Sequence, residues 1–397
     1  MTDATGSFVL DGNVPVGKEF LLVVKAGRFR RATLQTIPTG GECQTTSLPS
    51  ALPANPTRLP RNMTDGLAVN IPRIAITTGQ LDAMECVFEK MGIAHAEFGN
   101  PGPTGAATPR VHLYRGGPSA PGSGARIDDN TPHDGTIYGD LARLQNYDML
   151  VADCEGGGWD DNFNQRTANG AKVREYVNRG GRMFASHLSF SWLHANGTQS
   201  YAAGTAIDTG FGPAATWEED AITNINTGTG GVSVGRPNAS PRIANFRDWM
   251  VREGVVGATA PFNFMIDEPR SQTTGLGSAS EEFVHRTETL IVQQFSFNTP
   301  YGAPSGNACG RVAYSGFHVV TGNASNAVFP AHCTGNLSSQ EKVLLYMLFD
   351  LGACVGVDLA PPLCTPVTCA AVGASCGPAP DGCGKLLDCG PCGTPPK

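Results

Sequence analysis

Three short segments of this 397-residue chain carry side chains able to do chemistry. They are Asp153-Cys154-Glu155 followed by Gly156, Gly157 and Gly158, the pair Ser186-His187, and the single residue His318. Hydroxyl, thiol, imidazole and carboxylate groups serve both nucleophilic catalysis and metal coordination. Backbone amides in a glycine-rich turn can stabilise a developing oxyanion.

These residue types allow three interpretations. In a hydrolase, Ser186 is the nucleophile, His318 is the general base, and Glu155 or Asp153 orients the imidazole. In a metal centre for zinc or manganese, the ligands are Asp153, Glu155, His187 and His318. In the third, these side chains only hydrogen-bond neighbouring loops. No His-x-His or His-Glu-x-x-His spacing supports a metal, so we favour the third interpretation and predict neither a metal nor a cofactor.

Cys154 and the aromatic residues give two weaker indications. The flanking carboxylates would raise the pKa of the Cys154 thiol and blunt it as a nucleophile, so we expect a disulfide there. Aromatic rings can stack on sugars, although at 8% of the chain they more often belong to a core. The predicted binding residues at this site are Gly156, Gly157, Gly158, Asp153, His187 and Trp192.

The segments around these residues alternate between strand and helix patterns. Short apolar runs at 73–77, 148–153, 182–186 and 310–320 are typical of buried strands, and helical periodicity lies between them. Ser338 and Glu341 form a capping box at the start of a last helix. This α/β alternation predicts a doubly wound, mostly parallel sheet. The carboxyl ends of its strands would bring the chemical groups to one edge.

The remaining segments suggest a modular organisation. Residues 1–40 contain strand patterns, and the Pro-rich stretch 41–72 is predicted to be a linker. The α/β domain spans 73–355, with a long loop at 99–136 and a β-rich insertion at about 200–305. Residues 356–397 form a Cys-rich tail with almost no apolar bulk. Such a tail needs cross-links to be ordered.

The 12 cysteines point to an oxidising compartment. The tail holds six of them, Cys364, Cys369, Cys376, Cys383, Cys389 and Cys392, with a single Cys-x-x-Cys and no histidine, which favours disulfides over zinc. In the body, Cys309 and Cys333 flank a strand and are expected to pair. We therefore predict a secreted or cell-surface protein. Because no leader opens the chain, we expect it to begin inside a longer precursor.

Charge and hydropathy exclude two classes of partner. The 28 basic and 35 acidic residues give a net charge of −7, which disfavours nucleic-acid binding. No apolar run reaches the roughly 18 residues that a transmembrane helix needs. Among the remaining classes of partner, we expect a polysaccharide or the extracellular matrix.

Two terminal segments resemble known modules. GSFVLDGNVPVGKEFLLVVKAGRFRRAT (6–33) resembles the second half of a carboxypeptidase regulatory-like, or transthyretin-like, domain, which implies a partial β-sandwich. Residues 364–392 resemble small Cys/Gly-rich modules of secreted bacterial proteins, which implies surface attachment or polysaccharide binding.

The central domain resembles the class I glutamine amidotransferase-like fold, and within it the ThuA-like branch. The resemblance rests on NYDMLVADCEGGG (146–158), KVREYVNRGGRMFASH (172–187) and GRVAYSGFH (310–318). It implies a flavodoxin-like sheet, a nucleophile elbow at Ser186-His187 and a late histidine, His318. Amidotransferases carry a cysteine at the elbow, so glutaminase activity is not expected. We predict a non-catalytic binding or adhesion protein; the alternative is a secreted ester, amide or glycoside hydrolase.

Overall fold

The computed structural model describes most of the chain. The described residues are 8–10, 14–40, 44–51, 54–102, 109–117, 120–155, 159–193, 211–217, 229–235, 240–269, 273–289, 291–304, 306–318, 324–353, 368–370, 378–380 and 386–391. The predicted oxyanion residues Gly156, Gly157 and Gly158 lie outside them.

The strands, in chain order, are β1 (Glu19–Ala26), β2 (Phe29–Thr36), β3 (Leu67–Asn70), β4 (Ile74–Thr78), β5 (Phe98–Gly99), β6 (Val111–Arg115), β7 (Met149–Ala152), β8 (Arg182–Ser186), β9 (Ala215–Trp217), β10 (Thr229–Val234), β11 (Asn263–Asp267), β12 (Thr273–Leu276), β13 (Ser280–Arg286), β14 (Val292–Thr299), β15 (Gly310–Ser315), β16 (Pro378–Pro380) and β17 (Leu386–Asp388). The α-helices are α1 (Met84–Lys90), α2 (Gly135–Tyr138), α3 (Leu141–Leu144), α4 (Trp159–Asn178), α5 (Pro241–Arg252) and α6 (Ser339–Gly352).

A ten-stranded sheet forms the centre of the molecule. Five of its neighbouring pairs are parallel, and they join β5, β6, β4, β7, β8 and β15 in that spatial order. If the two-residue edge strand β5 is left out and the other five parallel strands are numbered along the chain, their spatial order is 2-1-3-4-5, as in flavodoxin-like sheets. Apolar side chains of α1, α5 and α6 share one core cluster, and those of α2 and α4 share another. The predicted α/β architecture with helices on both faces is confirmed.

One central strand lies where the sequence predicts a loop. Residues 99–136 contain β6, which pairs with β4 and is fully buried. The pattern is obscured because its sequence, VHLYR, puts His112 and Arg115 in a buried strand. Both find partners there: His112 Nδ1 lies 2.7 Å from the Tyr147 hydroxyl, and Arg115 donates to Asn326 at 2.7 Å. Hydrogen bonds to distant residues therefore make this strand possible.

The predicted β-rich insertion continues the same sheet. After β15 come β14, β13, β10 and β11, all antiparallel to their neighbours. The insertion also contains α5, which Ser240 caps. The predicted capping box of Ser338 and Glu341 opens α6. The insertion thus adds strands to the main core and places the end of β11 near the parallel strands' carboxyl edge.

The amino-terminal segment forms a small three-stranded sheet in the order β1-β2-β3. Its third strand, β3, falls inside the stretch 41–72 that the sequence predicts to be a linker, so the end of that stretch is structured. Phe29 makes an edge-to-face contact with Phe349 of α6, ring centroids 5.6 Å apart. The sheet therefore packs on the main domain; its relation to transthyretin-like sandwiches stays a prediction.

Two disulfides lie within the described residues, Cys86–Cys333 and Cys369–Cys389. The second is one of the cross-links expected in the tail. The predicted Cys309–Cys333 pair is wrong, because Cys309 is an exposed thiol at the start of β15 and Cys333 lies on a loop beyond that strand's other end. The predicted disulfide cysteines Cys364, Cys376, Cys383 and Cys392 lie outside the described residues. No helix in the described part of the chain combines the length and apolar character needed to cross a bilayer.

Candidate functional site

The chemical side chains meet at the carboxyl edge of the parallel strands. Flavodoxin-like sheets bind ligands at the point where the strand order reverses, here between β4 and β7. Asp82 follows β4, Cys154 follows β7, His187 follows β8 and His318 follows β15. The exposed fractions of these four residues are 0%, 0%, 1% and 3%. The topology thus brings distant parts of the chain into one buried group.

His187 occupies the sharp turn that the sequence predicts as an elbow. Its φ of +46° is a left-handed conformation that a residue with a side chain adopts only under constraint. The turn joins β8 directly to the 3-10 helix His187–Trp192, and the Tyr314 hydroxyl donates to the His187 carbonyl at 3.1 Å. The residue at the elbow is therefore His187, and its Nδ1 lies 3.2 Å from the Cys154 Sγ.

His318 lies against His187 and between two carboxylates. The two imidazole rings stack with centroids 3.9 Å apart and planes inclined by 31°. His318 Nδ1 is 3.0 Å from Asp82 Oδ1, and Nε2 is 2.8 Å from Glu268 Oε2. The orienting carboxylate is thus Asp82, not Glu155 or Asp153. With two oxygen neighbours, His318 needs a proton at both contacts, carried by the ring or by a carboxyl group.

Cys154, His187 and His318 form what we call the Cys-His-His cluster. One ligand atom from each lies within 4.8 Å of the others. Tetrahedral zinc with Zn–S near 2.3 Å and Zn–N near 2.05 Å places sulfur and nitrogen about 3.6 Å apart, close to the 3.2 Å between Cys154 Sγ and His187 Nδ1. A metal ion held by all three residues would require one of the stacked imidazole rings to rotate, because nearly parallel rings do not aim their nitrogens at one point.

Asp153 holds the backbone around Cys154 in place. Its Oδ1 accepts from the amide of Cys154 at 2.8 Å, and its Oδ2 accepts from the amide of Gly79 at 3.1 Å. Burial, reinforced by the charges of Asp82 and Glu85, raises the pKa of Asp153 well above its usual value. Asp153 therefore ties the loops after β4 and β7 together, and it is not grouped with the metal-ligating atoms as the metal interpretation supposed.

Gly79 lets these two loops approach each other. A Cβ at this position would lie 1.8 Å from the carbonyl oxygen of Cys154, well inside van der Waals contact. Only glycine fits between the ends of β4 and β7 at this separation. The position of Cys154 thus depends on a glycine 75 residues earlier in the chain.

Ser186 and Glu155 occupy other places than the hydrolase interpretation requires. Ser186 is fully buried and its hydroxyl donates to Asp82 Oδ2. Asp82 thus takes the hydrogen bond that a nucleophilic serine would make to a histidine base. Glu155 turns toward the loop after β6, where Oε2 accepts from the Gly117 amide at 3.2 Å. The catalytic roles of Ser186, His318 and Glu155 stay predictions.

Two other sequence expectations have clear outcomes. Trp192 is buried and packs against Tyr138 with ring centroids 4.3 Å apart, so it belongs to the core and offers no open face to a sugar. Cys154 does not form the expected disulfide; it is a buried thiol beside His187. The prediction that Trp192 belongs to an aromatic binding platform is wrong, since this residue of the 3-10 helix after β8 is buried.

Sequence reasoning missed Asp82 and Glu268. Asp82 lies in the loop between β4 and α1, which begins at Met84. Its position four residues past a buried strand is a signal that could have found it. Glu268 follows β11 in the insertion, and the sequence gives no indication that this strand reaches the site.

Glu268 is the solvent-exposed side chain among the described groups that contact His318. Its side chain is 41% exposed, and its φ of +49° marks a constrained turn after β11. Gln340, at the start of α6, accepts from the Asp267 amide at 2.8 Å and donates to the His318 carbonyl. One buried amide side chain therefore fixes the Glu268 turn relative to His318.

Comparison with known proteins finds likeness in structure only. No protein-family model matches the chain, and no curated protein matches it. A cytoplasmic protein, STM3548 from Salmonella typhimurium, aligns over 84% of this chain and 95% of its own at 9% identity, with a TM-score of 0.37. A ThuA-like protein from Bacteroides uniformis ATCC 8492 aligns over 70% and 93% at 10% identity, with a TM-score of 0.32. Likeness of this degree says nothing about the chemistry of this chain.

Proposed function

We propose that the protein is a metal-dependent hydrolase whose metal is held by the Cys-His-His cluster. The observation that supports this most strongly is the convergence of Cys154, His187 and His318, with one ligand atom of each within 4.8 Å of the others. Three protein ligands and one open position are typical of catalytic zinc, whereas structural zinc sites have four protein ligands.

The donor set favours zinc. A thiolate with two imidazoles combines a soft ligand with two borderline ones and suits Zn²⁺ better than Mg²⁺ or Ca²⁺, which prefer oxygen. A zinc ion there would polarise a substrate carbonyl and lower the pKa of bound water to about 7. Esters and amides are therefore the proposed substrate class.

Asp82 and Glu268 have different roles in this proposal. Asp82 accepts from His318 Nδ1, which would leave Nε2 as the nitrogen free to bind a metal, a carboxylate–histidine arrangement common at zinc sites. Glu268 reaches solvent and lies 2.8 Å from Nε2. With a cation on the cluster, Glu268 would be the carboxylate available to accept a proton from an attacking water.

A second candidate function is thiol-based hydrolysis without a metal. The observation in its favour is the 3.2 Å contact between Cys154 Sγ and His187 Nδ1, which is the geometry of a cysteine nucleophile and its base. The two functions differ in one measurable respect: a chelator abolishes the first and leaves the second intact, whereas alkylation of Cys154 abolishes both.

The binding or adhesion function that the sequence predicts concerns the tail and remains a separate proposal. A polysaccharide pull-down with the full chain and with a chain lacking residues 356–397 tests it. Equal retention of both would exclude the tail as the binding element.

The decisive experiment combines metal analysis with hydrolysis assays. We expect about one zinc per chain by mass spectrometry, and ester or amide hydrolysis that a chelator removes and zinc restores. Cys154→Ser, His187→Ala and His318→Ala should lose both zinc and activity. His95→Ala, at an exposed histidine, and Cys309→Ser, at an exposed cysteine, are matched controls. Hydrolysis that survives metal removal but not iodoacetamide would favour the thiol mechanism, and no hydrolysis with bound zinc would exclude both.

A further inference from the structure

A second group of metal-ligating side chains lies beside α1. Cys86 is on the helix, and His332 and Cys333 are on the loop that precedes α6. One ligand atom from each lies within 4.8 Å of the others, as in the Cys-His-His cluster. In the described structure the two cysteines form a disulfide. This group, which we call the Cys86 cluster, takes no part in the proposed hydrolysis.

Glu85 gives the Cys86 cluster a feature that a simple disulfide does not need. The residue is fully buried, and its Oε1 lies 2.6 Å from His332 Nε2. Its other oxygen, Oε2, has no hydrogen-bond partner among the described residues. An unpartnered carboxylate oxygen in a buried site costs free energy, and natural sites usually satisfy such atoms. The nitrogen that this carboxylate contacts, His332 Nε2, also lies 4.0 Å from Cys333 Sγ.

We propose that the Cys86 cluster is a redox-switched zinc site, a disulfide when oxidised and a zinc centre when reduced. A dithiol reductant transfers two electrons and two protons to the disulfide, giving two protein thiols and one oxidised reductant. Zn²⁺ then displaces one proton from each thiol and is held by Cys86, Cys333 and His332. The Glu85 carboxylate, which already contacts His332 Nε2, would shift to become the fourth ligand. Two sulfurs, one nitrogen and one carboxylate oxygen complete a closed, four-coordinate set, as in structural zinc sites.

Both states would fasten the same two parts of the chain. The disulfide and the zinc centre each join α1 to the loop 324–338, a connection between residues 247 apart in sequence. The segment before α1 carries Asp82, which contacts His318. Exchange of the disulfide for zinc would therefore keep this part of the fold intact in both oxidising and reducing surroundings, while the reduced, metal-free chain would lose the connection.

The test uses a full-length chain with the first cluster silenced by Cys154→Ser. After anaerobic reduction and addition of zinc sulfate, Cys86 and Cys333 should be protected from iodoacetamide at least tenfold relative to the zinc-free reduced chain, as read by peptide mass spectrometry. This chain should bind about one zinc ion more than the same chain carrying Cys86→Ser and Cys333→Ser. The comparison corrects for zinc held by the reduced tail. The oxidised chain should show no such excess.

Further variants separate coordination from general structural effects. Glu85→Gln and His332→Ala should each weaken zinc protection at least tenfold, whereas Cys309→Ser should leave it unchanged. Cobalt(II) in place of zinc should give more sulfur-to-cobalt charge-transfer absorption than the same cobalt-loaded chain with Cys86→Ser and Cys333→Ser, whose remaining absorption comes from the reduced tail. Equal alkylation of Cys86 and Cys333 with and without zinc would overturn the proposal, and so would unfolding of the reduced chain in the presence of zinc.

Discussion

Replacement of Asp82 by asparagine probes the proposed site without changing a metal ligand. Asp82 accepts from Ser186 through Oδ2 and from His318 through Oδ1. Asparagine keeps a single acceptor oxygen, so one of the two neighbours loses its partner. Loss of a carboxylate behind a metal-binding histidine typically weakens metal affinity by 10–100-fold, which corresponds to about 1.4–2.7 kcal/mol. We expect a loss of zinc affinity in this range for Asp82→Asn.

The effect on folding should be smaller than the effect on zinc. The broken buried hydrogen bond costs about 1–3 kcal/mol, but removal of a fully buried charge offsets part of that cost. The free energy of unfolding of the metal-free protein, measured with urea, should therefore change little. Zinc affinity itself is measured by competition with a chromophoric chelator.

Asp134→Asn is the matched control for this experiment. Asp134 is also fully buried and lies 3.2 Å from a histidine, His133, but outside the Cys-His-His cluster. The Asp134→Asn variant should keep its zinc affinity within about twofold of wild type. If Asp82→Asn binds zinc as tightly as wild type, or if both variants weaken it equally, Asp82 does not orient a metal ligand and the reasoning is wrong.

Three further predictions follow from the fold. Gln340→Ala should lower kcat/KM about tenfold with zinc content unchanged, since it releases the Glu268 turn while the ligands stay in place; a parallel loss of zinc would contradict this. Gly79→Ala should destabilise the protein by roughly 1–3 kcal/mol, because its Cβ would overlap the Cys154 carbonyl; Gly306→Ala, with open space around it, is the control in urea unfolding. Burial, aided by the positive charge of Arg73, lowers the pKa of His112 from 6.5 to about 4. The unfolded chain thus binds more protons between these values, and the free energy of unfolding should fall by about 3 kcal/mol as the pH drops from 6.5 to 4. His112→Asn should remove that part of the pH dependence, and an unchanged slope would show that other groups cause it.

The sequence by itself determined the parallel core except for β6, which it predicted to be part of a loop. The apolar runs at 182–186 and 310–320 contain β8 and β15, and Ser338 with Glu341 caps α6 as their spacing predicts. These features are local, because the strand runs and the helix cap depend on neighbouring residues alone. The same local pattern also indicated that His187 and His318 follow strands ending at one edge of the sheet.

Only the tertiary structure decided which of these side chains meet. From the sequence, Cys154 is expected to be a poor nucleophile and to form a disulfide. In the structure, Gly79 and the carboxyl group of Asp153 instead place it beside His187. Glu268 arrives from an inserted strand, and its distance from His318 depends on pairings between residues far apart in the chain. Sequence patterns report the periodicity of each element, but contacts across a sheet edge depend on strand order, and that order is fixed by burial of the whole core.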